Sequence, residues 1–225
     1  MKKYRILFIG NSYTYFNDMP KSLFEVIARE AGIELEAESV VKGGWTLERH
    51  ADPNGETGAL VARQLSGEPY DYVILQEQSL RPAIDREPFF GAVRDLTDRI
   101  RATGAVPILY STWGRKPGSP KLKEINMTNE SMTYALARAY QSVGDELAVS
   151  VAHVGLAFYD IGDEIELYDP DMTHPSREGS YLAALTLFMR IFGECERPAC
   201  CGIASDTALR LQSAARMAVF GTHEF

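Results

Sequence analysis

Ser12, Asp171 and His174 are the residue types that together convert a hydroxyl into a nucleophile. Asp171-Met172-Thr173-His174-Pro175 sets a carboxylate three residues before an imidazole, just ahead of the apolar run Tyr181 to Ile191. Ser12 follows closely on the apolar run Ile6 to Ile9. In such a set the serine attacks, the histidine takes its proton, and the aspartate fixes the ring tautomer and stabilises the imidazolium that forms. Each motif alone is ordinary: the serine of Gly10-Asn11-Ser12 also reads as a turn residue, and Asp-x-x-His as a capping Asp beside a surface His. Their order, and their places relative to the predicted strands, carry the argument.

Runs rich in apolar, β-branched or aromatic residues recur at Tyr4 to Ile9, Ile33 to Val41, Tyr72 to Leu75, Val106 to Tyr110 and Leu147 to Val154, separated by segments with helical spacing. That alternation predicts parallel strands with crossover helices on both faces. The expected architecture is a flavodoxin-like, doubly wound α/β sheet of five strands in the order 2-1-3-4-5. Ligands bind such sheets at the carboxyl ends of the strands, beside the switch point in strand order. Ser12 falls on that edge.

The first helix is expected with Asn17 or Asp18 as N-cap, Pro20 in its first turn, a stripe of Leu23, Phe24, Ile27, Ala28 and Ala31, and Gly32 as its stop. Phe89, Val93, Leu96 and Ile100 repeat the pattern before Gly104. Further helices are expected over about Glu56 to Leu65, Lys123 to Val143, Ser176 to Phe192 and Thr207 to Val219, and an exposed loop over Gly114 to Pro120. No repeat or linker divides the chain, so residues 1–225 read as one domain with a C-terminal helical extension from about 194.

With 225 residues, 45% of them hydrophobic, the chain can bury a sizeable core. A net charge of -8 argues against a nucleic-acid partner, which draws on clustered Lys and Arg. The apolar run behind Met1-Lys2-Lys3 ends at Ile9, too short for a signal-peptide core or a bilayer span. A soluble cytoplasmic protein without a membrane partner is the expectation, and the sequence carries no sign of its oligomeric state. Cys195, Cys200 and Cys201 fit neither a disulfide framework nor a tetrahedral zinc site and read as free thiols. His50 reads as a surface residue, His153 as a core histidine, and His223 as part of a loose tail.

The chain resembles the SGNH hydrolases, or GDSL-type esterases, on four motifs in order. Ile6-Leu7-Phe8-Ile9-Gly10-Asn11-Ser12-Tyr13-Thr14 resembles the first block, with Asn11 where many members carry Asp. Val41-Lys42-Gly43-Gly44-Trp45-Thr46 resembles the second, and Asp171-Met172-Thr173-His174-Pro175 the last. The third block departs: members commonly show Gly-x-Asn-Asp, and this chain has Gln76-Glu77-Gln78-Ser79, with Gln78 at the Asn position. The resemblance covers about residues 4 to 193. It implies Ser12, His174 and Asp171 as the catalytic residues, and an oxyanion hole formed by the N–H groups of Ser12 and Gly44 with the Gln78 amide; Gln76 is the rival for that amide. No metal or organic cofactor is required.

Tyr13, Tyr15, Phe16, Trp45, Tyr110 and Trp113, with Arg81, lie at or just beyond the predicted strand ends. Trp45, Trp113 and Gln76 are read as substrate-binding residues, because sugar rings stack on aromatics and the family includes deacetylases of carbohydrates. The expected substrate is a small acyl ester, acetyl first, on a carbohydrate. The rival reading is a non-catalytic carbohydrate-binding protein on the same fold. Phosphoryl transfer lacks both a glycine-rich phosphate loop and a carboxylate cluster for metal.

Overall fold

The computed structural model describes residues 2–195 and 199–223. Five strands, β1 (Tyr4–Gly10), β2 (Leu35–Val41), β3 (Tyr72–Leu75), β4 (Val106–Ser111) and β5 (Ser150–His153), form one all-parallel sheet in the order β2-β1-β3-β4-β5. The expected fold class and strand order are both present. The order reverses at β1, which lies between β2 and β3.

Period-two alternation sorts each strand between two cores. Ile6 and Phe8 of β1, Ile74 of β3, Ile108 and Tyr110 of β4, and Ala152 of β5 point to one face; Leu7, Ile9, Val73, Leu75, Leu109 and Val151 point to the other. Because both faces are covered, the inner strands carry unbroken apolar runs, Ile6 to Ile9 in β1, Val73 to Leu75 in β3 and Ile108 to Tyr110 in β4, whereas the edge strand β2 is interrupted by Glu36, Glu38 and Ser39.

Eleven α-helices are described: α1 (Ser12–Tyr15), α2 (Glu25–Glu30), α3 (Leu47–Ala51), α4 (Glu56–Leu65), α5 (Arg81–Ile84), α6 (Arg86–Ala102), α7 (Pro120–Glu124), α8 (Asn129–Leu147), α9 (Val154–Ile161), α10 (Arg177–Phe192) and α11 (Ser205–Phe220). Residues of α2, α9, α10 and α11 fill the first core, and residues of α3, α4, α6 and α8 the second. No helix of the described residues is long and apolar enough to cross a membrane. Cys195 is buried and Cys200 and Cys201 are partly exposed.

Two helices differ from the sequence reading. The first begins eight residues before Pro20, at Ser12, and passes through a 3-10 turn (Phe16–Asp18) and a π-helical turn (Met19–Phe24) before α2. Asn17 and Asp18 both have positive φ, and neither side chain caps the backbone. The helix expected over 123–143 is two helices, α7 and α8. A capping box restarts the second: Thr128 accepts from the Ser131 N–H, and the Ser131 side chain accepts from the Thr128 N–H.

Candidate active site

β1 ends at Gly10, where only glycine fits: a Cβ there would stand 2.6 Å from Gln76 Oε1 and 2.7 Å from Thr14 Oγ1. Asn11 then caps α1 with its side chain, accepting from the Tyr13 N–H at 3.2 Å. Its own N–H donates to Gln76 Oε1 at 2.9 Å, and its side-chain amide donates to the Trp45 carbonyl at 3.0 Å. One residue therefore ties the loops after β1, β2 and β3 together. The last contact needs an amide, and an Asp at this position would not donate it.

His174 lies in the loop entering α10. Its Nε2 is 2.8 Å from Ser12 Oγ, and its Nδ1 is 2.5 Å from Asp171 Oδ2. The ring stacks on Phe16, 4.1 Å between centroids at 7°, and meets the edge of Tyr13. Partial burial pushes the Asp171 carboxyl up, but hydrogen bonds from the His174 ring and from the His174 and Thr173 N–H groups outweigh it and hold Asp171 below the usual carboxylate range. An ionised Asp171 keeps the proton of His174 on Nδ1 and leaves Nε2 free to accept from Ser12.

The loop is held from both sides. Asn17 donates to the carbonyls of Pro175 and Ser176 and to Ser180 Oγ, while Trp113 Nε1 donates to the Thr173 carbonyl at 3.1 Å. A cavity of about 180 Å3 opens over the pair, lined by Ser12, Gly44, Gln78, Ser79, Arg115 and His174 among others. The N–H groups of Ser12 and Gly44 have no acceptor among the described residues. Gly44 has φ +68°, and an added Cβ would touch nothing within 4 Å, so its backbone conformation rather than crowding calls for glycine.

No family model matches the chain, and no curated protein matches it. Among solved structures, a chain from Slackia heliotrinireducens assigned to the SGNH hydrolases is 34% identical, with a TM-score of 0.73, and the match covers 83% of this chain and 97% of that one. The chain belongs to the SGNH hydrolases. Two further structures share the fold of this SGNH hydrolase. A DUF4886 family protein from Bacteroides uniformis is 20% identical with a TM-score of 0.77, covering 97% of this chain and 95% of its own. An acetyl-xylooligosaccharide esterase from Geobacillus is 14% identical with a TM-score of 0.62, covering 87% and 97%.

Within this SGNH hydrolase three of the expected substrate contacts are corrected. Trp113 is fully buried, stacked against Tyr13 at 4.5 Å and Phe158 at 4.2 Å, and has no ring face left for a sugar. Trp45 does not line the cavity; Lys42 and Arg49 sit over its ring, and its Nε1 donates to Thr57 Oγ1. Gln76 is fully buried beneath the loop that follows β1, where its Oε1 accepts from Asn11 N–H and Thr14 Oγ1 and its amide donates to the Glu77 carbonyl. It cannot reach a substrate. Gln78 does line the cavity; its Oε1 accepts from the Leu80 and Arg81 N–H groups, leaving its NH2 with one long contact, 3.3 Å to Ser79 Oγ.

His50 is also corrected: it is fully buried and donates from Nε2 to the Gly10 carbonyl at 2.8 Å, bracing the end of β1 from α3. Burial pushes it down to about 4 against the raising effect of that hydrogen bond, so it is neutral at pH 7. Glu77 and Arg115 had no assigned role in the sequence reading, Asn17 was expected only as a helix N-cap, and Phe16 was named only among the aromatics near the strand ends. Burial raises the Glu77 carboxyl to about 7, although it accepts from the Gln78 and Leu47 N–H groups. Position alone was available as a signal for Arg115, which stands four residues past the end of β4.

Proposed function

We propose that the protein is a serine ester hydrolase acting on small acyl esters, with Ser12 as nucleophile, His174 as general base and acid, and Asp171 as its orienting carboxylate. The observation that supports this reading is the unbroken chain Asp171 Oδ2 to His174 Nδ1 to His174 Nε2 to Ser12 Oγ, at 2.5 and 2.8 Å, at the rim of a cavity. Ser12 Oγ attacks the carbonyl carbon as its proton passes to His174 Nε2. The N–H groups of Ser12 and Gly44, with the Gln78 NH2, receive the charge on the carbonyl oxygen. His174 returns the proton to the leaving alkoxide. Water, deprotonated by the same ring, then releases the acid from Ser12.

A cavity of about 180 Å3 is small beside the ~300–1,000 Å3 of drug-sized ligand sites, which favours acetyl and other short acyl groups. The aromatic residues give the carbohydrate reading no support, since Trp113 is buried and the Trp45 ring is occupied. That reading rests on the carbohydrate deacetylases of the family and on the acetyl-xylooligosaccharide and acetyl xylan esterases among the structural neighbours. The test is labelling by a fluorophosphonate together with hydrolysis of p-nitrophenyl acetate. Both are expected in the intact protein and neither in Ser12→Ala. A folded Ser12→Ala protein that retains most of its turnover would overturn the assignment.

A further inference from the structure

We propose that the cavity selects esters carrying a second, anionic group, a carboxylate within a few bonds of the scissile carbonyl, and that Arg115 with Tyr13 receives it. The inference rests on the esterase reading and names its substrate class. Arg115 lines the same cavity as Ser12 and His174. Its side chain makes one hydrogen bond, from Nη2 to Ser79 Oγ at 3.0 Å, and its Nε is buried with no acceptor. Among the described residues no carboxylate lies within salt-bridge distance of it, whereas Arg5, Arg81, Arg94, Arg99, Arg210 and Arg216 are each paired with one. The carboxylate in the same site, Asp171, is already engaged by the His174 ring and by two backbone N–H groups.

Tyr13 adds a second unused donor. Its hydroxyl is buried beside Ser79 and makes no hydrogen bond of good geometry. Burial pushes the phenol up to about 12, so it keeps its proton. A part-buried guanidinium short of acceptors and a buried phenol short of one are both satisfied by a single carboxylate, in charge-assisted bonds stronger than neutral ones. In a chain of net charge -8, an unpaired cation in the site also offsets the repulsion that an anionic substrate would meet.

The carboxylate can belong to the acyl part or to the alcohol part, and two substrate pairs distinguish them. Ethyl hydrogen succinate against ethyl succinamate places the charge on the acyl side; O-acetyl-lactate against O-acetyl-lactamide places it on the alcohol side. Acid release is followed by pH-stat. For one pair, kcat/KM of the anionic ester should exceed that of its amide isostere by about tenfold to a hundredfold. Arg115→Gln should collapse that ratio towards unity, and Arg115→Lys, which keeps the charge without the fork, should retain part of it. A wild-type ratio below about twofold in both pairs, or a ratio that survives Arg115→Gln, would overturn the inference. The wild-type comparison needs no variant to fold. If p-nitrophenyl acetate is turned over and the fluorophosphonate labels Ser12 while both ratios stay near unity, the anionic preference fails and the esterase reading stands; if neither reaction occurs, the esterase reading itself fails.

Discussion

Gln76 and Gln78 stand two residues apart, and the structure gives them opposite surroundings. Gln78 faces the cavity with its NH2 group nearly free, so Gln78→Ala should lower kcat for p-nitrophenyl acetate by about 10² to 10³ with KM little changed, because the contact strengthens only as charge develops on the carbonyl oxygen. Gln76→Ala should instead lower the melting temperature, since Asn11 N–H and Thr14 Oγ1 lose their shared acceptor, at roughly 1–3 kcal/mol for each buried group left unmet. Melting curves beside steady-state kinetics separate the two. Strand alternation hid this difference from the sequence: residues two apart share a face, and only the depth of the sheet edge decides which is inside. The hydrogen-bonded set Asp171, His174 and Ser12, proposed as a triad, was legible as a juxtaposition because such chemistry fixes residue types and its partners lie in loops at the sheet edge. Trp113 was misread for the reason Gln76 was, since a place just past a strand end does not say whether the chain there turns out to solvent or back over the core.

At the scale of elements, β3 runs into a buried acid. Glu77 is fully buried, with its carboxyl raised to about 7 chiefly by burial, and it accepts from the N–H of Leu47 at the start of α3. The unfolded chain releases this proton near pH 4.5, the native chain near 7, so the native state binds more protons across that window and stability falls as pH rises through it. The loss amounts to on the order of 3 kcal/mol and is complete above about pH 7. Glu77→Gln removes the titration, so its stability relative to wild type, measured by urea unfolding, should increase from pH 4.5 to 7 and then level off. A difference that does not change with pH would show that Glu77 is ionised throughout. The helices themselves were read well where an apolar stripe runs without a break, as in α4, α6 and α10. They were misread where local geometry overrides the stripe: positive φ at Asn17 and Asp18, and the Thr128–Ser131 capping box that restarts α8. Asn17 was expected to start a helix and instead holds the His174 loop from below.

For the molecule as a whole, two buried neutral histidines set the response to acid. Burial lowers His50 to about 4 and, as the largest of its causes, His153 to about 3, so between the ordinary histidine value of 6.5 and pH 4 the unfolded chain binds protons that the native chain refuses. Stability is lost as pH falls through that range, by on the order of 3 kcal/mol for each ring, and the opposite titration of Glu77 returns about one such amount. His50→Gln, which keeps a donor towards the Gly10 carbonyl without a titrating ring, should flatten the decline in unfolding free energy between pH 6.5 and 4; Glu77→Gln should steepen it. Ser12 and His174 are 162 positions apart in the chain, at the start of α1 just behind β1 and in the loop entering α10. Their contact closes one of the longest loops in the molecule, and long-range closures come late in folding because their entropic cost is met only once other contacts are in place. Recovery of turnover during refolding should therefore trail the return of helical circular dichroism, which makes the hydrolase's own activity a clock for the moment at which the loop entering α10 reaches the end of β1.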